Sequence, residues 1–132
     1  MADQAADPVT DLDLSRPRRI HVVGVGGSGM SAIASVLVAM GHQVSGTDLK
    51  DSTGLDRLRE AGVQISVGHD AEHVGDAELV AISTAIPATN PEVVQARELG
   101  VPVLRRAEVL AAICATRRTI AVAGTHGKTT TT

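Results

Sequence analysis

An open α/β fold, a parallel sheet with helices on both faces, is the class this sequence predicts, and three observations carry it. Short β-branched runs alternate with segments of helix-forming residues along the chain. A glycine-rich turn, Gly24 to Gly29, follows the first run and opens the first helix. No internal repeat or low-complexity tract interrupts the alternation. Consecutive parallel strands need a crossover to return, so strict alternation means a Rossmann-like parallel sheet.

The elements follow in order. Arg19 to Val25 is apolar and β-branched and reads as a buried strand. Ser31 to Met40 is apolar with good helix formers, and Gly41 closes it. Gln43 to Gly46 is a second strand that leads to Asp48. Thr53 to Ala61 is helical and stops before Gly62. Val63 to Val67 and Leu79 to Ser83 are the third and fourth strands. Pro91 to Leu99 is a helix with Asn90 as its N-cap and Pro91 in its first position. Val101 to Leu104 is a fifth strand, Ala107 to Ala115 a helix and Thr119 to Ala123 a last strand. Residues 1–18 read as a disordered tail, 19–116 as the α/β unit, and 117–132 as the start of a second, ATP-binding domain.

Composition narrows the function. The 132 residues suit one domain, and 43% hydrophobic content is enough for a core. There is no Phe, Tyr or Trp, so a bound base would lie against aliphatic groups and backbone. A net charge of −3 without a basic stripe argues against nucleic acid. One cysteine, Cys114, suits a reducing compartment, hence the cytoplasm, and reads as a small buried hydrophobe. No apolar run is long enough to span a membrane, and the N-terminus lacks the pattern of a signal peptide.

Gly24-Val25-Gly26-Gly27-Ser28-Gly29 fits G-x-G-x-x-G in a strand-turn-helix context. The first glycine permits the turn, the second lets a phosphate approach the backbone, and the third lets helix and strand pack closely. Free N–H groups and the helix dipole then favour an anion, with the Ser28 hydroxyl as a further donor. Asp48 stands near the offset of a ribose-binding acid, though aspartate is also common in turns. NAD, FAD and a nucleotide sugar all present a pyrophosphate beside a ribose, and this loop alone does not choose among them. His69 and His73 are spaced as a helical pair but have no third ligand nearby, and His21 and His42 read as structural.

A second loop follows the last expected strand: Gly124, Thr125, His126, Gly127, Lys128, Thr129 and Thr130. Its backbone N–H groups suit phosphate oxygens, Lys128 suits the outer phosphates of ATP, and the Thr129 hydroxyl suits Mg²⁺. It departs from G-x-x-x-x-G-K-[ST], because Val122 stands where the first glycine would be. A pyrophosphate-binding unit followed by an ATP loop suggests a kinase, synthetase or ligase. The helix after this loop would be cut short, so the expectation is a truncated ATP site that binds ATP weakly, with no cofactor held tightly.

Together, the run from Ile20 to Ser31, Ser45-Gly46-Thr47-Asp48, Ser83-Thr84-Ala85-Ile86, Asn90-Pro91-Glu92, Arg105-Arg106-Ala107-Glu108 and the loop from Gly124 resemble the Mur ligases over residues 19–132. The resemblance implies ATP-driven amide formation in peptidoglycan synthesis. A carboxylate of UDP-N-acetylmuramate is activated as an acyl phosphate and attacked by the amine of L-alanine, whose pocket would lie beyond Thr132. It implies that Gly24, Gly26, Gly27, Ser28, Gly29 and Met30 cradle the diphosphate and that Asp48 and His69 face the uridine. Ser83, Thr84, Ala85 and Ile86 would line the UDP-sugar groove at the end of the fourth strand, Arg106 would meet the substrate's anionic groups, and Lys128 and Thr129 would act catalytically. The chain by itself is expected to be inactive. Two alternatives stay open: an NAD(P)-binding oxidoreductase domain, and a sister ligase that adds a preformed peptide to the same sugar.

Overall fold

The computed structural model describes residues 14–124, with side chains described through Thr116 except that of Ser28. Five strands, β1 (Arg19–Val23), β2 (Gln43–Asp48), β3 (Gln64–Val67), β4 (Leu79–Ile82) and β5 (Val103–Arg105), alternate with α1 (Ser28–Ala39), α2 (Thr53–Ala61), α3 (Pro91–Glu98) and α4 (Arg106–Gly124). A short 3-10 turn, Ala71–Val74, lies between β3 and β4. The sheet order is β3-β2-β1-β4-β5, and every pairing is parallel. Val22 lies opposite Gly46 on one side and Ala81 on the other, so β1 is the central strand.

Side-chain alternation divides the core in two. Ile20, Val22, Leu79, Ala81 and Leu104 face α1, α2 and α4 and pack with Ile33, Leu37, Leu58 and Val109. Val23, Val80 and Ile82 face the other way, against Val74, Val93 and Ala96 of the 3-10 turn and α3. On that second face β2 and β3 carry Gln43, Ser45, Gln64 and Ser66 instead. These polar side chains line a cavity of about 550 Å³.

Helix ends obey local chemistry. Asn90 Oδ1 accepts the Glu92 N–H at 2.8 Å, with Pro91 at the first helical position. Gly62 closes α2 at φ 111°, a left-handed conformation that any side chain would strain.

Three expectations are corrected. Thr119 to Ala123, expected as a last strand, continues α4. A β-branched run forms a strand only where another strand supplies hydrogen bonds, whereas a helix satisfies its backbone within the segment. Two residues expected in the tail are held by the domain: Leu14 joins the main core, and the Arg18 N–H donates to His42 Nδ1 at 3.0 Å. Cys114 is exposed rather than buried. The loop from Thr125 to Thr130, with Lys128 and Thr129, lies outside the described residues.

Candidate ligand-binding site

The chain leaves β1 for β2 on one side and returns to β4 on the other, so a crevice opens where the strand order reverses. Gly24 to Gly29 lies at its mouth. The Gly24 and Val25 N–H groups both donate to Thr47 O, at 2.8 and 2.9 Å, which ties the loop to β2. Gly24 has φ 76°, and a Cβ there would lie 3.1 Å from Ile86 Cδ1, so only glycine makes this turn without strain. Gly27 caps α1 without any side-chain hydrogen bond, and no acidic residue occupies the first turn. The opening of α1 is therefore an uncapped, positive dipole end.

The expected residues surround this point. The Gly26 N–H donates to Asp48 Oδ2 at 2.8 Å, so one oxygen of the expected ribose acid braces the loop. Arg106 lies across Gly29, where a Cβ would come within 2.7 Å of Nε, and this sets a guanidinium beside the helix start. Ser83 Oγ accepts the Ala85 N–H at 3.3 Å, and the Ile86 N–H donates to Ser83 O at 3.2 Å, which folds Ser83, Thr84, Ala85 and Ile86 into a turn at the end of β4. The Met30 side chain is buried in the core, so this residue offers the crevice its backbone alone. The hydroxyl of Ser28 lies outside the described side chains. Leu49 and Val67, exposed at the ends of β2 and β3, are the aliphatic surface available to a base.

His69 follows Gly68, whose N–H donates to Asp48 O at 2.6 Å, and so lies directly beside Asp48. Beneath it is a feature the sequence did not single out as a site. Glu92, fully buried, has its Oε1 2.6 Å from His21 Nε2 and 2.7 Å from the Thr47 hydroxyl. Its Oε2 lies 3.0 Å from the Asp70 N–H, 3.1 Å from His73 Nδ1 and 3.3 Å from His69 Nδ1. Burial pushes this carboxyl up, but the hydrogen bonds from His21, Thr47, His73 and Asp70 outweigh it and hold the group at about 2, hence ionised. The other ring nitrogen of His21, Nδ1, lies 2.8 Å from Ser45 Oγ. No group of three or more His, Cys, Asp or Glu among the described residues suits a metal ion. The cavity over β1 to β3 contains none of the expected site residues, because the crevice is an open groove at the strand ends and the cavity lies across the sheet face.

A parallel sheet whose glycine-lined, uncapped helix start stands at the strand-order reversal, with an aspartate on one flank and an arginine on the other, is a Rossmann-like α/β domain with an open groove at its strand ends. Comparison with known proteins specifies it further. The model of the Mur ligase family, catalytic domain, matches residues 19–118. The UDP-N-acetylmuramate–L-alanine ligase of Rubrobacter xylanophilus is 60% identical over 114 residues, which is 86% of this chain and 26% of that protein. The enzyme of the same name from Sinorhizobium fredii is 58% identical over 113 residues, 86% of this chain and 24% of that protein. The crystal structure of UDP-N-acetylmuramate–alanine ligase from Thermotoga maritima superposes with a TM-score of 0.68 at 36% identity, over 70% of this chain and 22% of that one. This chain belongs to the Mur ligase family. It spans about a quarter of the length of these curated relatives. Shikimate dehydrogenase from Aquifex aeolicus, at 16% identity and a TM-score of 0.52, shares the fold alone. Among the described residues no helix is long and apolar enough to cross a membrane.

Proposed function

We propose that this chain binds UDP-N-acetylmuramate as the N-terminal domain of an ATP-dependent, cytoplasmic ligase that joins L-alanine to that sugar. The observation that carries the reading is the uncapped α1 start beside Arg106, in a chain 60% identical to a ligase of that name. Amides at the start of α1 receive the diphosphate, with Arg106 balancing its charge. Asp48, with one oxygen free of Gly26, accepts from the ribose, and the base continues towards Leu49 and His69. On the other flank, the turn from Ser83 to Ile86 holds the sugar, at the end of the sheet nearest Arg106.

Holding the sugar nucleotide still is the contribution of these residues to catalysis. It turns an encounter between carboxylate and ATP into an oriented one. Domain 19–116 ends, in this reading, where a second domain begins at residue 117. Gly124, Thr125, His126, Gly127, Lys128, Thr129 and Thr130 are assigned to ATP, and the Thr129 hydroxyl to Mg²⁺, on the sequence alone. The ion's chemistry there is to neutralise phosphate charge. The L-alanine pocket is assigned to the roughly three quarters of the curated relatives' length that this chain does not span.

Calorimetry tests the reading. The chain should bind UDP-N-acetylmuramate and not NAD(H), and a preference for NAD(H) overturns it. A sister ligase that adds a peptide is the second reading, because the murein peptide ligase of Psychrobacter arcticus superposes with a TM-score of 0.62 at 26% identity. The higher identity to the alanine ligases favours the first.

A further inference from the structure

We propose that Glu92 is a positioning residue for base recognition: its buried carboxylate holds the His69 Nδ1–H, so that His69 Nε2 faces the groove as a hydrogen-bond acceptor for the N3–H of a uracil ring. This rests on the reading of the groove as a UDP-sugar site.

An ionised carboxylate only accepts, so every nitrogen in contact with it carries a hydrogen. Glu92 Oε2 and Thr47 Oγ1 both lie 3.3 Å from His69 Nδ1, and the Thr47 hydroxyl hydrogen is already committed to Glu92 Oε1 at 2.7 Å. Both neighbours of Nδ1 are therefore acceptors, and Nδ1 is the donor. In the neutral ring that leaves the lone pair on Nε2, at the far side from the carboxylate. His69 Nε2 makes no hydrogen bond among the described residues, where the one buried ring nitrogen without a partner is His42 Nε2. The His69 side chain is 13% exposed, enough for one edge of the ring to meet a ligand.

Location supplies the rest. The diphosphate loop follows central β1, Asp48 ends β2, and His69 lies two residues beyond the end of β3, in that order outward. A nucleoside diphosphate laid along this row puts its ribose at Asp48 and its base at His69. A uracil joined to ribose has a single N–H, at N3, between two carbonyls. A bare Nε2 accepts from it, and the same nitrogen would face a lone pair on cytosine N3. The proton held at the buried end of the ring thus selects the base at the open end.

Nitrogen-15 correlation spectra of the imidazoles in the ligand-free chain read the tautomers directly. His69 and His73 are expected as Nδ1–H and His21 as Nε2–H. Glu92→Gln should move His69 towards Nε2–H. Calorimetry with uridine diphosphate and its N3-methyl analogue should show the analogue ~10- to 100-fold weaker on the unaltered chain, and no such preference in His69→Ala. An Nε2–H tautomer at His69 in the unaltered chain, or equal affinity for the two diphosphates, overturns the proposal. Both readouts use the unaltered chain and so survive a Glu92→Gln variant that does not fold. Failure of uridine diphosphate to bind at all sinks the UDP-sugar reading and the base contact with it, while the tautomer still decides what Glu92 positions.

Discussion

Gly46 is the point at which the sheet and the phosphate loop share one space. A Cβ at Gly46 would lie 2.7, 2.8 and 2.9 Å from Cβ, Cγ1 and Cγ2 of Val25, which is fully buried. Carbon atoms rest at about 3.5–4.0 Å, so Gly46→Ala demands a separation of roughly 0.8 Å or more. Val25 cannot rotate aside, because its own Cβ is in the clash and rotation only exchanges its γ-carbons. Its backbone is held by the 2.9 Å bond to Thr47 O, one residue along β2. The strain therefore spreads into β2 or lifts the loop. Overpacking of this kind costs about 1–3 kcal/mol. Urea denaturation followed by circular dichroism measures it, and calorimetry with uridine diphosphate should show weaker binding in the same variant. Val25→Gly removes all three contacting atoms. It is destabilising alone, but the double variant Val25→Gly/Gly46→Ala should be at least about 1 kcal/mol more stable than the sum of the two single effects. Additivity within about 0.5 kcal/mol would refute the steric account.

Other expectations follow from the same contacts. Glu92, held at about 2 against an ordinary 4.5, binds fewer protons folded than unfolded between those values. It therefore contributes stability above about pH 4.5 that is lost as the pH falls towards 2, roughly 3 kcal/mol in all. The stability gap between the unaltered chain and Glu92→Gln should shrink by about that much across this window in denaturation curves, and a pH-independent gap would contradict it. Asn90→Ala removes the acceptor of the Glu92 N–H and should cost about 1 kcal/mol in the same assay, against no change if the cap is idle. The three atoms nearest a Cβ at Gly29 all belong to the flexible Arg106 side chain, so for Gly29→Ala stability should fall by less than about 1 kcal/mol. Calorimetry on that variant should nevertheless show weaker uridine diphosphate binding, because Arg106 is displaced from the helix start.

Much of this molecule is written in short stretches of chain. The glycine loop, the Asn90-Pro91 cap and Gly62 after α2 are recognisable because turn, cap and left-handed conformation depend on a few neighbouring residues. The order of strands and helices is equally local in origin, and it places Asp48, Ser83 and Arg106 at strand ends before any coordinates exist. Met30 was legible as part of the loop, yet its side chain belongs to the core, since only packing tells which way a residue turns. The run from Thr119 to Ala123 has the composition of a strand and forms helix, because strand formation needs a partner that composition does not supply. Glu92 and His21 are 71 residues apart, and neither shows in sequence as one end of a 2.6 Å contact. What the sequence determined by itself was the alternating fold and its anion-binding turn, through interactions that reach a few residues. What only the tertiary structure decided was the buried carboxylate among its histidines and the packing of Val25 on Gly46, because folding brings distant segments into one low-dielectric, close-packed space, where a single missing methyl or a single proton counts.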